Sequence, residues 1–273
     1  YDVDSHACIV DGVRLHIGKR FTYKHNDVLS LEKNLIRASK IIEQTGGGIL
    51  VISEGVFGMR GEQGCLKEIC ELKKKFNFRF LVDDAHGFGT LGKTGAGTGF
   101  EQGIQDEIDV YFATFAKSMA STGAFIASEK EVIDYLKYNM RSQMFAKSLQ
   151  TQLVIGALKR LSILKSRPEL KKKLWENVLM LQNGLKNNGF NIGNTQSCVT
   201  PVYLEGSIPE AMSLVKDLRE NFGIFCSIVV YPVIPKGLIL LRLIPTATHT
   251  IEDINKTLDA FSKIRERLKG GVY

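Results

Sequence analysis

The sequence predicts an α/β protein in which a mostly parallel sheet covered by helices is followed by a smaller C-terminal α+β domain. Three observations predict it. Segments 48–57 (GILVISEGVF), 78–83 (FRFLVD) and 110–115 (VYFATF) are β-branched, aromatic and nearly continuous in apolar character, as strands buried on both faces are. Segments of helical period alternate with them. The 44% apolar content of 273 residues supplies a core for one large domain or two ordinary ones.

Taken in order, residues 28–43 read as a helix ended by Gly46-Gly47-Gly48, which also opens the first strand. Between the first two strands Leu66, Ile69, Cys70 and Leu72 recur at helical spacing, giving a βαβ unit. A turn at 128–131 starts a helix over 132–138, and a longer helix follows over 151–164. Pro168 punctuates the chain. Beyond it come a helix at 175–185, a strand at 199–204, a helix at 209–221, strands at 224–230 and 238–244, and a last helix at 251–268. These shorter, separated strands suit an α+β domain. The boundary is placed in the helix near 150–165, giving a large domain over 1–155 and a small domain over 156–273; neither linker nor internal repeat is visible.

Composition excludes several classes. No run of about 18 apolar residues exists, so no membrane-spanning helix is expected. The net charge of +7 comes with Lys runs at 73–75 and 171–173 that read as solvated helix faces, without the aromatic-basic pattern of a nucleic-acid binder. Five scattered cysteines (8, 65, 70, 198 and 226) lack metal or disulfide spacing and point to reduced thiols in a cytoplasmic protein. Residues 1–10 begin with Tyr1 and show no leader pattern, so the sequence reads as cut rather than processed.

Residues 87–94 (GFGTLGKT) satisfy the pattern of a nucleotide-binding P-loop. The context refuses it. A P-loop Lys opens a helix, whereas Gly95, Gly97 and Gly99 follow here, each costing about 0.8–1.0 kcal/mol relative to Ala within a helix. A Gly-rich loop is expected instead.

The chemistry-bearing residues lie at strand ends. Asp83, Asp84 and His86 close one buried strand, where open α/β sheets bind ligands. Acids at strand ends also commonly cap loops. Lys117 follows the strand over 110–115, and a Lys amine with an acid at a neighbouring strand end is what Schiff-base chemistry on a pyridine cofactor requires.

At this point TFAKS after a buried strand, VDDAHGFGTLGKTGAGT upstream, SHACIVDG near the start and RLIPTATHT near the end carry a likeness. Together they resemble the α-oxoamine synthases, a branch of the fold type I pyridoxal-phosphate enzymes, over essentially the whole chain. KHND, GVFGM, SQMFAKSL and CSIVVYPVIPKG look most like bacterial serine palmitoyltransferase-type sequences.

The resemblance implies a pyridoxal 5'-phosphate cofactor carried by Lys117, with Asp83 partnering the pyridine nitrogen, His86 contacting the phenolic oxygen, His6 stacking on the ring and Thr114 helping to hold the phosphate. It makes Lys117, His6 and Asp83 catalytic and gives Arg242 the carboxylate of the amino acid; no metal is implied. Asp84 is read as structural, and His16 and His25 as ordinary surface or loop histidines. The implied reaction is a decarboxylative condensation of L-serine with a long-chain acyl-CoA to a 3-keto long-chain base, CoA and CO2, the first step of sphingolipid synthesis. Its rivals are glycine C-acetyltransferase (2-amino-3-ketobutyrate CoA ligase), 8-amino-7-oxononanoate synthase and a non-catalytic partner subunit, the last opposed by the joint presence of Lys117, Asp83 and His86.

A homodimer with active sites at the interface is implied, with amino acid and acyl-CoA as substrates and neither nucleic acid nor a membrane span among its partners. Two departures stand out: Gly58 replaces the Ser of a GVFSM-type segment, and the family's helical and Gly-rich N-terminal third is missing, so an incomplete large domain is expected.

Overall fold

A computed structural model describes residues 1–231, 233–234 and 236–269; Pro232 and Pro235 of the CSIVVYPVIPKG segment lie outside the described residues. His6 caps helix α1 (Ala7–Arg14), which the sequence reading did not anticipate, by accepting the Cys8 N–H on its ring. Asp27 caps α2 (Val28–Thr45) through the Ser30 N–H at 2.8 Å, and α2 buries Leu31 and Leu35, one turn apart on one face. Strand β1 (Leu50–Glu54), helix α3 (Leu66–Glu71) and strand β2 (Arg79–Asp83) form the expected βαβ unit, with β1 and β2 parallel.

After the short α4 (Thr98–Glu101), β3 (Val110–Thr114) pairs parallel to β2, and β4 (Ala124–Ser128) returns antiparallel to β3. The sheet order is β1-β2-β3-β4. Val51, Leu66, Ile69, Phe80 and Val82 join the two α2 leucines in one core beneath it.

Helices α5 (Lys130–Asn139), α6 (Arg141–Phe145) and α7 (Thr151–Ser166) follow. Then come α8 (Pro168–Asn187), β5 (Thr200–Glu205), α9 (Ile208–Glu220), β6 (Ser227–Val229), β7 (Leu238–Leu243) and α10 (Ile251–Lys269). β7 lies between β5 and β6, antiparallel to both. Leu181, Leu185, Val202, Leu214, Leu241 and Phe261 centre a second core.

The chain forms two compact units, Tyr1–Phe57 with Gln63–Arg167, and Gly58–Glu62 with the chain from Pro168 onward. The expected boundary at 155/156 falls inside α7, an unbroken helix belonging to the first unit. Pro168 begins α8 at a position where its missing N–H costs nothing, so α8 starts earlier than expected.

Three strands also differ from expectation, the expected strand at 224–230 being only Ser227–Val229. β1 ends at Glu54 although the apolar run continues to Phe57, because Val56 and Phe57 stay buried after the pairing with β2 stops, Val56 bridging to Gln63 instead. β4 has no counterpart in the sequence expectation, since its five residues follow Gly123 among small residues.

Candidate active site

In the first unit, parallel pairing aligns the C-terminal ends of β1 and β2 so that Glu54 stands opposite Asp83, and Asp83 opposite Phe112 of β3. Asp83 is 6% exposed, and its Oδ1 accepts the Ala85 N–H at 3.0 Å. Burial pushes its carboxyl up, outweighing that hydrogen bond and the nearby charges of His6 and Lys117, which pull it down.

Three of the expected residues are therefore electrostatic neighbours: Asp83, His6 and Lys117. His6 is exposed, and its backbone N–H donates to Glu54 Oε1. Its Nδ1 accepts the Cys8 N–H at 3.3 Å and lies 3.0 Å from Cys8 Sγ, so in the neutral ring the proton sits on Nε2. Lys117 is exposed in the loop that β3 delivers. Thr114 ends β3, where its Oγ1 donates to Gly123 O at 3.2 Å and accepts the Ala116 N–H at 3.2 Å, tying the two ends of the Lys117 loop together. His86 is half-buried in the turn after β2, and its carbonyl accepts from Thr90 Oγ1 at 2.8 Å.

Asp84 is structural in its contacts. Fully buried, it accepts from the Thr98 N–H at 2.7 Å, Thr98 Oγ1 at 2.6 Å and Tyr111 Oη at 2.8 Å. Burial still pushes its carboxyl up to about 6. This carboxylate holds the Gly-rich loop to the sheet. Residues 87–94 form turns rather than a helix, with Gly89 and Gly92 at positive φ, and only the four-residue α4 follows.

Sequence reasoning missed Glu54 and Cys8. Glu54 carries the signal that singled out Asp83, an acid ending an apolar strand, but the strand was read through it. Cys8 stands near both acids, since burial and then the charges of Asp83 and Glu54 push its thiol up. His25 is more than an ordinary loop histidine: its Nδ1 lies 3.1 Å from Asp2 Oδ1, and its ring meets Phe57 edge-on at 4.4 Å.

Arg242 lies in the second unit, on β7. Its Nη1 donates to Met59 Sδ at 3.7 Å, its Nε is buried without a partner, and burial pushes its pKa down.

The model of the family described as aminotransferase class I and II matches residues 2–261. The chain belongs to that family. A cysteate-C-fatty acyltransferase of Capnocytophaga ochracea is 72% identical to this aminotransferase-family chain over 273 residues, 100% of the chain and 65% of the relative. An 8-amino-7-oxononanoate synthase of Petrotoga mobilis is 40% identical over 266 residues, 97% of this chain and 66% of that protein.

Two solved serine palmitoyltransferases, one from Sphingomonas wittichii and one described with a PLP internal aldimine, each match with a TM-score of 0.91 at 31% identity. Each alignment covers 100% of this chain and 67% of theirs. The chain thus spans about two thirds of the length of the curated relatives it matches. The α-oxoamine synthase resemblance holds, and with it the fold type I architecture in incomplete form. Among the described residues no helix is long and apolar enough to cross a membrane.

Pyridoxal phosphate fits the residues present. A buried carboxylate with one oxygen bonded to a backbone N–H and its pKa raised by burial is suited to a protonated ring nitrogen, and an exposed amine and an imidazole lie within its electrostatic reach.

Proposed function

We propose that the protein containing this chain catalyses the pyridoxal-phosphate-dependent decarboxylative condensation of an amino acid with a long-chain acyl thioester. The cluster of Asp83, His6 and Lys117 carries this reading. Lys117 would hold the cofactor's aldehyde carbon, Asp83 its pyridine nitrogen, His86 its phenolic oxygen, Thr114 its phosphate, and His6 would cover the ring face. When bound, the cofactor supplies an electron sink for the carbanion formed at the amino acid's α-carbon.

The chain's own residues then act in sequence. Arg242 binds the carboxylate with a planar fork of donors and so orients the α-carbon. Lys117 Nζ, as a free amine once the amino acid is bound, would accept the α-proton. Asp83 would face the cofactor's ring nitrogen and favour its protonated form. The α-carbon forms a bond to the thioester carbonyl carbon, the C–S bond breaks and CoA leaves as its thiol. The bond to the carboxylate then breaks, releasing CO2, and a proton takes its place.

For the amino acid we favour L-cysteate, on the 72% identity to a cysteate-C-fatty acyltransferase across the whole chain. L-Serine is the second reading, supported by the fold match to serine palmitoyltransferases. We read the working form as a homodimer in the cytoplasm. Exposed Phe145, Val154, Ile155 and Leu158 on α6 and α7 support a covered surface there.

The test is a substrate matrix on the full-length protein, crossing L-cysteate, L-serine, glycine and L-alanine with acetyl-, pimeloyl- and palmitoyl-CoA and following CoA release. Palmitoyl-CoA with L-cysteate is expected to give the highest kcat/KM. Preference for L-serine selects the second reading, whereas preference for acetyl- or pimeloyl-CoA overturns the long-chain assignment.

A further inference from the structure

Arg242 is an unusual cation for its surroundings. Among the described residues no carboxylate is in ion-pair reach of its guanidinium, and its one polar contact is the weak acceptor Met59 Sδ. Its Nε is buried with no partner at all. A half-buried guanidinium with a partnerless Nε has donors to offer an anion.

The sheet says what else faces that anion. In the antiparallel pair of β6 and β7, Arg242 stands directly opposite Ser227. Directly opposed residues project from the same face with Cβ atoms about 4.5–5.5 Å apart. The next pair on that face, Leu240 and Val229, is buried, whereas Ser227 is exposed and Arg242 half-exposed, so the face opens where these two stand. Ser227 makes no side-chain hydrogen bond among the described residues, although its strand continues as Ile228-Val229 and its neighbour Cys226 is buried. The one polar side chain of β6 is thus an unused hydroxyl donor beside an unpaired Arg.

We propose that Ser227 is a substrate-binding residue that donates its hydroxyl to the α-carboxylate held by Arg242. This rests on the reading that the protein takes an amino acid. A carboxylate gripped by a guanidinium fork keeps a lone pair on each oxygen, and Ser227 Oγ supplies a third donor from the neighbouring strand. The added contact fixes the tilt of the carboxylate, which the flexible Arg side chain alone leaves free. Because every α-amino acid carries this carboxylate, Ser227 sets affinity for the amino acid in general and not the choice of its side chain.

The experiment uses the full-length, cofactor-loaded protein and its Ser227→Ala and Ser227→Thr variants. L-Cysteate and L-serine are titrated while cofactor absorbance is followed, and KM and kcat are measured for both substrates. Ser227→Ala is expected to weaken binding of both amino acids about ten-fold, with KM for the acyl thioester unchanged. Ser227→Thr, which keeps the hydroxyl on a side chain suited to a strand, is expected to stay within about three-fold of wild type.

Ala binding as tightly as wild type overturns the proposal, as does Thr binding as weakly as Ala. A loss confined to one amino acid overturns it too, because the hydroxyl would then be reading the side chain. The titration does not need condensation to occur. If no thioester yields product while the titration behaves as expected, the reaction assigned above fails and the role of Ser227 stands.

Discussion

Tyr111→Phe isolates one hydrogen bond to a buried charge and makes its worth depend on pH. Tyr111 is 7% exposed, and its hydroxyl donates to Asp84 Oδ2 at 2.8 Å. Phe keeps the ring and its packing while removing that donor. Burial has already pushed the Asp84 carboxyl from 3.8 up to about 6 despite three donors. Between these values the folded protein holds a proton that the unfolded chain has lost. Stability therefore falls as pH rises from about 4 to about 6, by roughly 3 kcal/mol for this group.

Above pH 7 Asp84 is ionised, and losing a donor to it costs about 1.5–3 kcal/mol; at pH 5 it is mostly neutral, and the same loss costs about 0.5–1.5 kcal/mol. Urea unfolding of the full-length protein and the variant at pH 5 and pH 8 measures both. The deficit should be larger at pH 8, because removing a donor from the charged form raises the folded pKa further. An equal deficit at the two pH values, or a larger one at pH 5, refutes the assignment of Tyr111 as a donor to the carboxylate.

Two further outcomes are expected. Borohydride reduction of the cofactor-loaded full-length protein should label the peptide containing Lys117, and Lys117→Ala should lose both label and turnover; a label on Lys93 or Lys147 would contradict the site. Gly97→Ala should be far more damaging than Gly103→Ala. Both positions have positive φ, +111° and +70°, and backbone of this kind costs Ala about 1–3 kcal/mol, Gly97 with ψ −173° lying where essentially only Gly is found. At Gly97, however, the added Cβ would also lie 2.0 Å from Asp84 Oδ2 and 2.6 Å from Tyr111 Oη, whereas at Gly103 it meets nothing within 4 Å. Thermal unfolding of the two variants compares them directly.

The parts of the fold legible in the sequence are those whose cause is local. β2 and β3 could be read because their apolar runs stop at polar residues when the strands leave the sheet. The apolar run outlasts β1 because burial continues through Val56 and Phe57 after pairing stops, and such a run reports burial rather than hydrogen bonding. β4 is held by its register against β3, from Val110↔Ser128 to Thr114↔Ala124, which is a long-range cause with no local trace in AFIAS. The environment of His25 is built from residues 2, 25 and 57, and no spacing rule joins them.

The neighbouring acids Asp83 and Asp84 show where such reading stops. At a strand end, successive side chains leave on opposite sides, so two adjacent carboxylates must face different surroundings. One side gives Asp83 a single backbone donor and the charges of His6 and Lys117. The other gives Asp84 three donors from Thr98 and Tyr111, fourteen and twenty-seven residues away. A carboxylate surrounded by that many fixed donors has little acceptor capacity left for a ligand, whereas Asp83 keeps an oxygen free of them. The division of labour is therefore decided by where Thr98 and Tyr111 arrive in space. Without the family resemblance, the dipeptide Asp83-Asp84 shows only that some acid ends the strand, and the fold decides which one is left open to chemistry.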